Sequence, residues 1–89
     1  MKKKIAILGS TGFIGKTLLS IINKDRNNFE IKLLTADKNH RLLLKQAKQF
    51  KVKNLIITNK KNFDLLKNDT AGTNLNIFNN FNNFKKIFQ

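Results

Sequence analysis

Three glycines spaced three residues apart separate the first two apolar segments of the chain. They are Gly9, Gly12 and Gly15, within the stretch KIAILGSTGFIGKTLL at residues 4–19. The short apolar run before them is typical of a buried parallel strand, and the apolar residues after them recur at helical spacing. Glycine allows the backbone conformations that a tight turn between two such elements requires. The stretch therefore predicts a strand, a glycine turn and a helix.

The predicted turn is suited to bind an anion. The first N–H groups of a helix have no partner within the helix, and together with the helix dipole they attract phosphate. Gly9 would permit the turn, Gly12 would let a pyrophosphate approach, and Gly15 would let the helix pack on the strand. Ser10 and Thr11 would add hydroxyl donors. Although the spacing is G-x-x-G-x-x-G, the context fits a dinucleotide-binding motif, with a purely structural turn as the alternative.

The rest of the sequence continues the alternation of strands and helices. Strands are predicted at residues 3–8, 29–36, 54–58 and 75–78, and helices at 14–24, 39–50, 62–66 and 80–88. The apolar side of the first helix is predicted to comprise Ile14, Leu18, Leu19, Ile21 and Ile22. Strict alternation predicts an α/β fold, here a partial Rossmann-like parallel sheet of three to four strands with flanking helices.

The length of the chain limits how much of such a domain it can form. Its 89 residues are too few for the two βαβαβ halves of a complete dinucleotide-binding domain. The last predicted helix carries a phenylalanine stripe that needs a covering partner. We therefore expect residues 1–89 to be the N-terminal part of a longer NAD(P)-binding domain, with catalytic and C-terminal domains outside them.

Composition narrows the class of protein. The absence of cysteine excludes a disulfide scaffold and thiolate metal sites. No secretory signal and no apolar run of about 18 residues is present, so we predict a cytoplasmic protein without a membrane partner. The net charge of +13 could attract nucleic acid, but the lysines are spread along the whole chain. A bias towards Lys, Asn, Ile and Phe explains the charge better, and a nucleic-acid partner is not expected.

The end of the second predicted strand carries signals for the choice of nucleotide. Asp37 lies about 20 residues beyond the motif, where an acidic residue would bind the ribose 2′-hydroxyl of NAD. The cations Lys38 and Arg41 lie beside Asn39 and suit the 2′-phosphate of NADP. Because Asp37 could instead cap the helix that follows, NADP is favoured. His40 is predicted to be a surface residue, and the acidic residues show no spacing suited to a metal or to acid–base catalysis.

Three stretches carry a combination of motifs that occurs in one enzyme family. They are AILGSTGFIGKTLLSII, FEIKLLTADKN and LLLKQAKQFKVKNLII, at residues 6–22, 29–39 and 42–57. Together they resemble the N-terminus of 1-deoxy-D-xylulose 5-phosphate reductoisomerases. The resemblance implies NADPH binding by this part of an enzyme that isomerises and reduces a phosphorylated sugar to 2-C-methyl-D-erythritol 4-phosphate in non-mevalonate isoprenoid biosynthesis. It also implies Mg²⁺ or Mn²⁺ in the full-length enzyme, and a homodimer.

The resemblance also assigns residues by position. It places Thr11, Gly12, Phe13 and Ile14 along the pyrophosphate, and Lys38 and Asn39 at the adenosine end. The predicted cofactor site comprises Gly9, Ser10, Thr11, Gly12, Phe13, Ile14, Lys38 and Asn39. The family usually has serine in place of Phe13 and often glycine in place of Asp37, so a carboxylate lies near the expected 2′-phosphate. The metal-binding acids of the family lie further along its sequence, and the chain alone is predicted to be inactive.

Three other interpretations remain open. The stretch TGFIGK, residues 11–16, also occurs in extended short-chain dehydrogenases and epimerases, which would require a Tyr-x-x-x-Lys pair, and the chain contains no tyrosine. A small basic module for nucleic acid or acidic lipid rests on the net charge alone. A truncated product that neither folds nor binds a ligand is the third.

Overall fold

The computed structural model describes residues 2–88 and contains four parallel strands that alternate with helices. The strands are β1 (Lys3–Ile7), β2 (Phe29–Ala36), β3 (Asn54–Ile57) and β4 (Asn76–Phe78), and the helices are α1 (Phe13–Asn23), α2 (His40–Phe50), α3 (Lys60–Asp69) and α4 (Phe84–Ile87). A 3-10 turn at Arg26–Asn28 leads into β2. The strands pair in the order β1-β2-β3-β4, all parallel. The prediction of a partial, Rossmann-like parallel α/β sheet is confirmed.

One face of the sheet packs against α1, α2 and α3. The core on this face comprises Ile7, Leu19, Ile22, Ile31, Leu34, Ala36, Leu43, Ala47, Val52, Leu55, Ile57, Leu66 and Ile77. All three helices share this face because each strand pairs with its predecessor, and right-handed crossovers then place successive helices on the same side. The carboxyl ends of β1, β2 and β3 consequently meet at one sheet edge, where the loops into the three helices begin.

A bulge in β2 lets the sheet bury residues on both faces. The pairing register jumps from Ile5 opposite Ile31 to Ala6 opposite Leu33, which leaves one extra residue in β2. The bulge shifts the alternation, so that Ile31 joins the helix-facing core whereas Leu33 faces the other side. Leu33 and Ile56 are completely buried there. Both faces of the second half of β2 are therefore covered, and every residue from Leu33 to Ala36 is buried.

Helix α1 buries a narrower stripe than the sequence predicts. Its buried residues are Gly15, Leu19 and Ile22, whereas Ile14, Leu18 and Ile21 are exposed. The predicted apolar side of α1 is therefore divided between residues in the core and residues that face solvent. A Cβ on Gly15 would lie only 2.3 Å from the carbonyl oxygen of Gly9, so the helix is pressed against the glycine turn along its Gly15 side. This contact turns the other apolar stripe towards solvent.

The C-terminal part of the fold differs from the prediction in the lengths of its helices. Helix α3 is longer than predicted, at Lys60–Asp69. The helix predicted at residues 80–88 is wrong in its extent, because only Phe84–Ile87 form a helical turn. The side-chain Oδ1 of Asn80 accepts a hydrogen bond of 2.9 Å from the Asn82 N–H. Asparagine side chains compete for backbone groups in this way, and they thereby disfavour a helix.

Helix α3, which is longer than predicted, also covers most of the His40 side chain. Its side chain is 12% exposed, and its ring Nδ1 lies 3.1 Å from the Asn62 Nδ2. The prediction that His40 is a surface residue is therefore wrong, because α3 packs against the start of α2 and covers the ring. Among the residues that the structure describes, no helix combines the length and apolar character of a membrane span.

Candidate nucleotide-binding site

The three glycines of the motif differ in whether the folded chain itself requires a glycine. Gly9 has φ of +69°, a left-handed conformation that favours glycine although a Cβ there would meet nothing within 4 Å. Gly15 has no room for a Cβ, which would collide with the backbone of Gly9 and Ser10. Gly12 has φ of −81°, and a Cβ would lie 3.4 Å from the nearest backbone oxygen. Neither conformation nor packing within the chain requires glycine at position 12, and this agrees with a ligand that approaches the backbone there.

Helix α1 begins without a capping side chain. Its N-cap residue is Gly12, and the first N–H to bond back into the helix is that of Lys16, at 2.9 Å from the Gly12 carbonyl oxygen. The N–H groups of Phe13, Ile14 and Gly15 precede that bond and belong to the first helical turn. Phe13 and Ile14 are 85% and 73% exposed, so this turn is open to solvent. Such a helix start can donate hydrogen bonds to an anion.

The starts of α2 and α3 differ from that of α1, because asparagine side chains cap both. Asn39 Oδ1 accepts from the Leu42 N–H at 3.3 Å, and Asn59 Oδ1 accepts from the Asn62 N–H at 3.2 Å. The alternative that Asp37 caps α2 is therefore wrong, since Asn39 occupies that role. Of the three helices that start at this edge, α1 is the one whose first turn has no side-chain cap.

A buried hydrogen-bond network holds the glycine turn in place. The N–H of Gly9 donates to the Thr35 hydroxyl at 2.9 Å, and the N–H of Ser10 donates to the Thr35 carbonyl at 2.8 Å. The Ser10 hydroxyl donates to Gln46 Oε1 at 2.7 Å, and Gln46 Nε2 donates to the Ser10 carbonyl at 2.9 Å. Ser10 is fully buried. Its hydroxyl therefore lies beneath the turn, and Ser10 supports the turn rather than presenting that hydroxyl to a ligand.

Thr35 and Gln46 support the site although no sequence motif marks either residue. Gln46 lies on the buried stripe of α2, between Leu43 and Ala47, and is 5% exposed. A buried polar side chain must find hydrogen-bond partners, so a glutamine within an apolar stripe was the available signal. Thr35 gave a weaker signal, because threonine is common in strands.

The predicted adenosine-end residues lie together at the carboxyl end of β2. Asp37, Lys38 and Asn39 are consecutive and exposed, and Arg41 is exposed in the first turn of α2. The Asp37 carboxylate accepts a hydrogen bond of 2.6 Å from the Thr58 hydroxyl. Lys16 is exposed at the start of α1. The edge formed by these loops thus combines open helix N–H groups with several cations, which suits a ligand carrying phosphates.

Other parts of the described chain are less suited to bind a ligand that carries phosphates. A cavity of about 450 Å³ lies at the opposite, amino end of the sheet and is lined by Arg26, Phe29, Phe50 and neighbouring residues. Within residues 2–88, no three His, Cys, Asp or Glu side chains are grouped so that they could hold a metal ion. The carboxyl edge of the sheet is therefore the candidate site.

Comparison with known proteins relates the chain to one enzyme family. The family model described as 1-deoxy-D-xylulose 5-phosphate reductoisomerase matches residues 5–89. The reductoisomerase of Pelagibacter ubique is 49% identical over 86 residues, which cover 97% of this chain and 22% of that protein. That of Porphyromonas gingivalis is 42% identical over 71 residues, or 80% of this chain and 18% of that protein. The chain thus spans about a fifth of the length of these curated relatives.

Solved structures of such enzymes have the same fold over this region. The reductoisomerase of Zymomonas mobilis in complex with NADPH matches with a TM-score of 0.80 at 27% identity, over 88% of this chain and 21% of that one. A reductoisomerase in complex with NADPH, fosmidomycin and magnesium matches with a TM-score of 0.78 at 31% identity, over 85% of this chain and 19% of that one.

Proposed function

The chain belongs to the 1-deoxy-D-xylulose 5-phosphate reductoisomerase family, and from this premise we propose that residues 1–89 form the N-terminal, NADPH-binding part of such an enzyme. One observation within the chain carries the proposal: α1 starts at a glycine that neither conformation nor packing requires, and its first N–H groups lack a side-chain cap. A structure of a family member with the same fold was solved in complex with NADPH.

Each residue of the proposed site has a definite task. The N–H groups of Phe13 and Ile14 donate to the pyrophosphate, and the close approach depends on the missing side chain of Gly12. Thr11 is half-buried before the helix start and adds a hydroxyl donor. Phe13 contributes through its backbone, since its ring cannot donate a hydrogen bond. Gly9 and Ser10 hold the turn in shape through their bonds to β2 and α2.

The adenosine end is bound by the residues after β2. The ammonium group of Lys38 pairs with the 2′-phosphate and gives the site its preference for NADPH. Asn39 already accepts the Leu42 N–H with its Oδ1. Its Nδ2 group is the part of the side chain that donates to the nucleotide. Arg41, in the first turn of α2, adds positive potential to the same edge.

The reaction itself is proposed to depend on parts of the longer protein outside these residues. The side chains within residues 2–88 do not fit Mg²⁺ or Mn²⁺, because no group of three potential ligands occurs among them. The metal and the phosphorylated sugar are thus assigned to the remaining four fifths of the enzyme, and the chain alone is inactive. The complete enzyme is proposed to be a cytoplasmic homodimer without a nucleic-acid or membrane partner.

Nucleotide titrations test the proposed site. We expect the chain to bind NADPH, and Gly12→Val to abolish binding by filling the space for the pyrophosphate. Lys38→Ala should weaken NADPH binding about tenfold, the value of a charge-assisted hydrogen bond, and leave NADH binding nearly unchanged. Matched controls are Ala71→Val, in the exposed loop after α3, and Lys48→Ala, exposed in the last turn of α2. Neither should change the dissociation constants.

Two results would contradict the proposal. The first is NADPH and NADH binding with equal affinity that neither site substitution alters. The second is tight binding of duplex DNA with a steep dependence on salt and no competition by NADPH, which would favour a basic nucleic-acid-binding module. Circular dichroism spectra of every variant show whether a loss of binding reflects a loss of fold.

A further inference from the structure

Asp37 is held by a side chain from the neighbouring strand end, close to where the proposed nucleotide carries its 2′-phosphate. The carboxylate Oδ1 of Asp37 accepts a hydrogen bond of 2.6 Å from the Thr58 hydroxyl. Asp37 is the first residue after β2, and Thr58 is the first residue after β3. The contact therefore joins the two loops that lead into α2 and α3.

The backbone around this contact is fixed as well. The N–H of Thr58 donates to the Ala36 carbonyl at 3.1 Å, and the N–H of Asn59 donates to the Asp37 carbonyl at 3.0 Å. These bonds continue the parallel pairing beyond the ends of β2 and β3. On the other side, Asn79 Nδ2 donates to the Thr58 carbonyl at 3.1 Å. The position of Thr58 is thus fixed by hydrogen bonds to residues at the ends of β2 and β4, the two strands that neighbour β3.

The direction of the contact matters for a bound nucleotide. The glycine turn follows β1, and β3 lies on the far side of β2 from β1. The bond to Thr58 therefore draws the Asp37 carboxylate away from the glycine turn. A carboxylate repels a nearby 2′-phosphate, whereas it accepts a hydrogen bond from a ribose 2′-hydroxyl. The position of this carboxylate consequently affects NADPH and NADH in opposite directions.

We propose that Thr58 is a positioning residue for nucleotide preference: its hydroxyl holds Asp37 towards β3 and leaves the space beside Lys38 to the 2′-phosphate of NADPH. The inference rests on the proposed function, because it requires the pyrophosphate to lie at the glycine turn. Asp37 is available for this role because Asn39 caps α2.

The test compares NADPH and NADH dissociation constants for the chain and four variants. They are Thr58→Val, Thr58→Ser, Asp37→Asn and the double variant Asp37→Asn/Thr58→Val. Thr58→Val removes the hydroxyl but keeps the shape, and it should lower the preference for NADPH about fivefold, the effect of a unit charge brought to about 4 Å in water. Thr58→Ser keeps the hydroxyl and should keep the preference. In the Asp37→Asn background, Thr58→Val should no longer change the preference.

The preference is the decisive quantity, because a purely structural role of Thr58 would change both affinities by the same factor. An unchanged ratio in Thr58→Val overturns the inference and leaves the proposed function intact, as does a change that persists in the Asp37→Asn background. Failure of the unsubstituted chain to bind either nucleotide overturns the proposed function and the inference with it. Thr58 is exposed, so we expect the thermal melts of its variants to match that of the unsubstituted chain.

Discussion

The buried side chain of Gln46 holds the glycine turn against α2 through two hydrogen bonds to Ser10. Its replacement by leucine should therefore destabilise the fold. Gln46→Leu keeps most of the side-chain volume and suits the apolar neighbours Leu43 and Ala47. It removes the acceptor of the Ser10 hydroxyl and the donor to the Ser10 carbonyl. Because Ser10 is fully buried, water cannot replace either bond without a change in structure.

The expected loss of stability depends on which hydrogen-bond partners remain for Ser10. A buried polar group left without its partner costs about 1–3 kcal/mol. The Ser10 hydroxyl keeps a longer contact of 3.4 Å to the Thr35 carbonyl, whereas no side chain replaces Gln46 at the Ser10 carbonyl. The expected decrease in the free energy of unfolding is therefore about 2–4 kcal/mol. A domain of this size has a total stability of about 5–13 kcal/mol, so the change is large.

Urea denaturation followed by circular dichroism measures the effect. The matched control is Gln49→Leu, the same substitution at an exposed position of the same helix, which should change stability by less than about 0.5 kcal/mol. Ser10→Ala/Gln46→Leu should lose about 1–2 kcal/mol less than the sum of the single losses, because the two side chains share one bond. Strictly additive losses, or equal losses in Gln46→Leu and Gln49→Leu, would refute the network.

Two further predictions concern the turn and the adjacent helix start. In urea melts, Gly9→Ala should cost about 1–2 kcal/mol because of its left-handed backbone, and Gly15→Ala about 1–3 kcal/mol because of overpacking. The unfolding free energy of Gly12→Ala should stay within about 0.5 kcal/mol of that of the unsubstituted chain, whereas its NADPH binding should be weaker. An equal loss of stability at all three glycines would contradict their distinct roles. Asn39→Ala should lower stability by about 1 kcal/mol through the lost cap, and an unchanged melt would show that the cap contributes nothing.

The parts of the fold that follow a strong periodic signal were predictable from the sequence. Strand β2 occupies the predicted residues 29–36, and α2 lies within one residue of its predicted bounds. Both have long apolar or amphipathic patterns bounded by polar residues. The last helix was not predictable in the same way, because its spaced phenylalanines suggest a helix while the Asn80 side chain bonds to the local backbone.

The site was predictable in its sequence motif and not in its tertiary contacts. The glycine spacing identified the turn and the helix start, since these are local consequences of chain geometry. The bond between Ser10 and Gln46 joins residues 36 apart, and that between Asp37 and Thr58 joins residues 21 apart. Such contacts depend on strand order and on the orientation of each helix, which hydrophobic periodicity does not specify. For the same reason the helical spacing in α1 does not distinguish its buried residues from the exposed Ile14, Leu18 and Ile21.

The strand order described above has a consequence for how this part of the protein can assemble during synthesis. Every strand pairs with the one that precedes it in the chain, and no later strand is inserted between two earlier ones. Each pairing therefore closes a single short crossover, at a small entropic cost. Strands can be added in order at one growing edge as the chain leaves the ribosome. The turn after β1 gains its hydrogen bonds to Gln46 once α2 has formed.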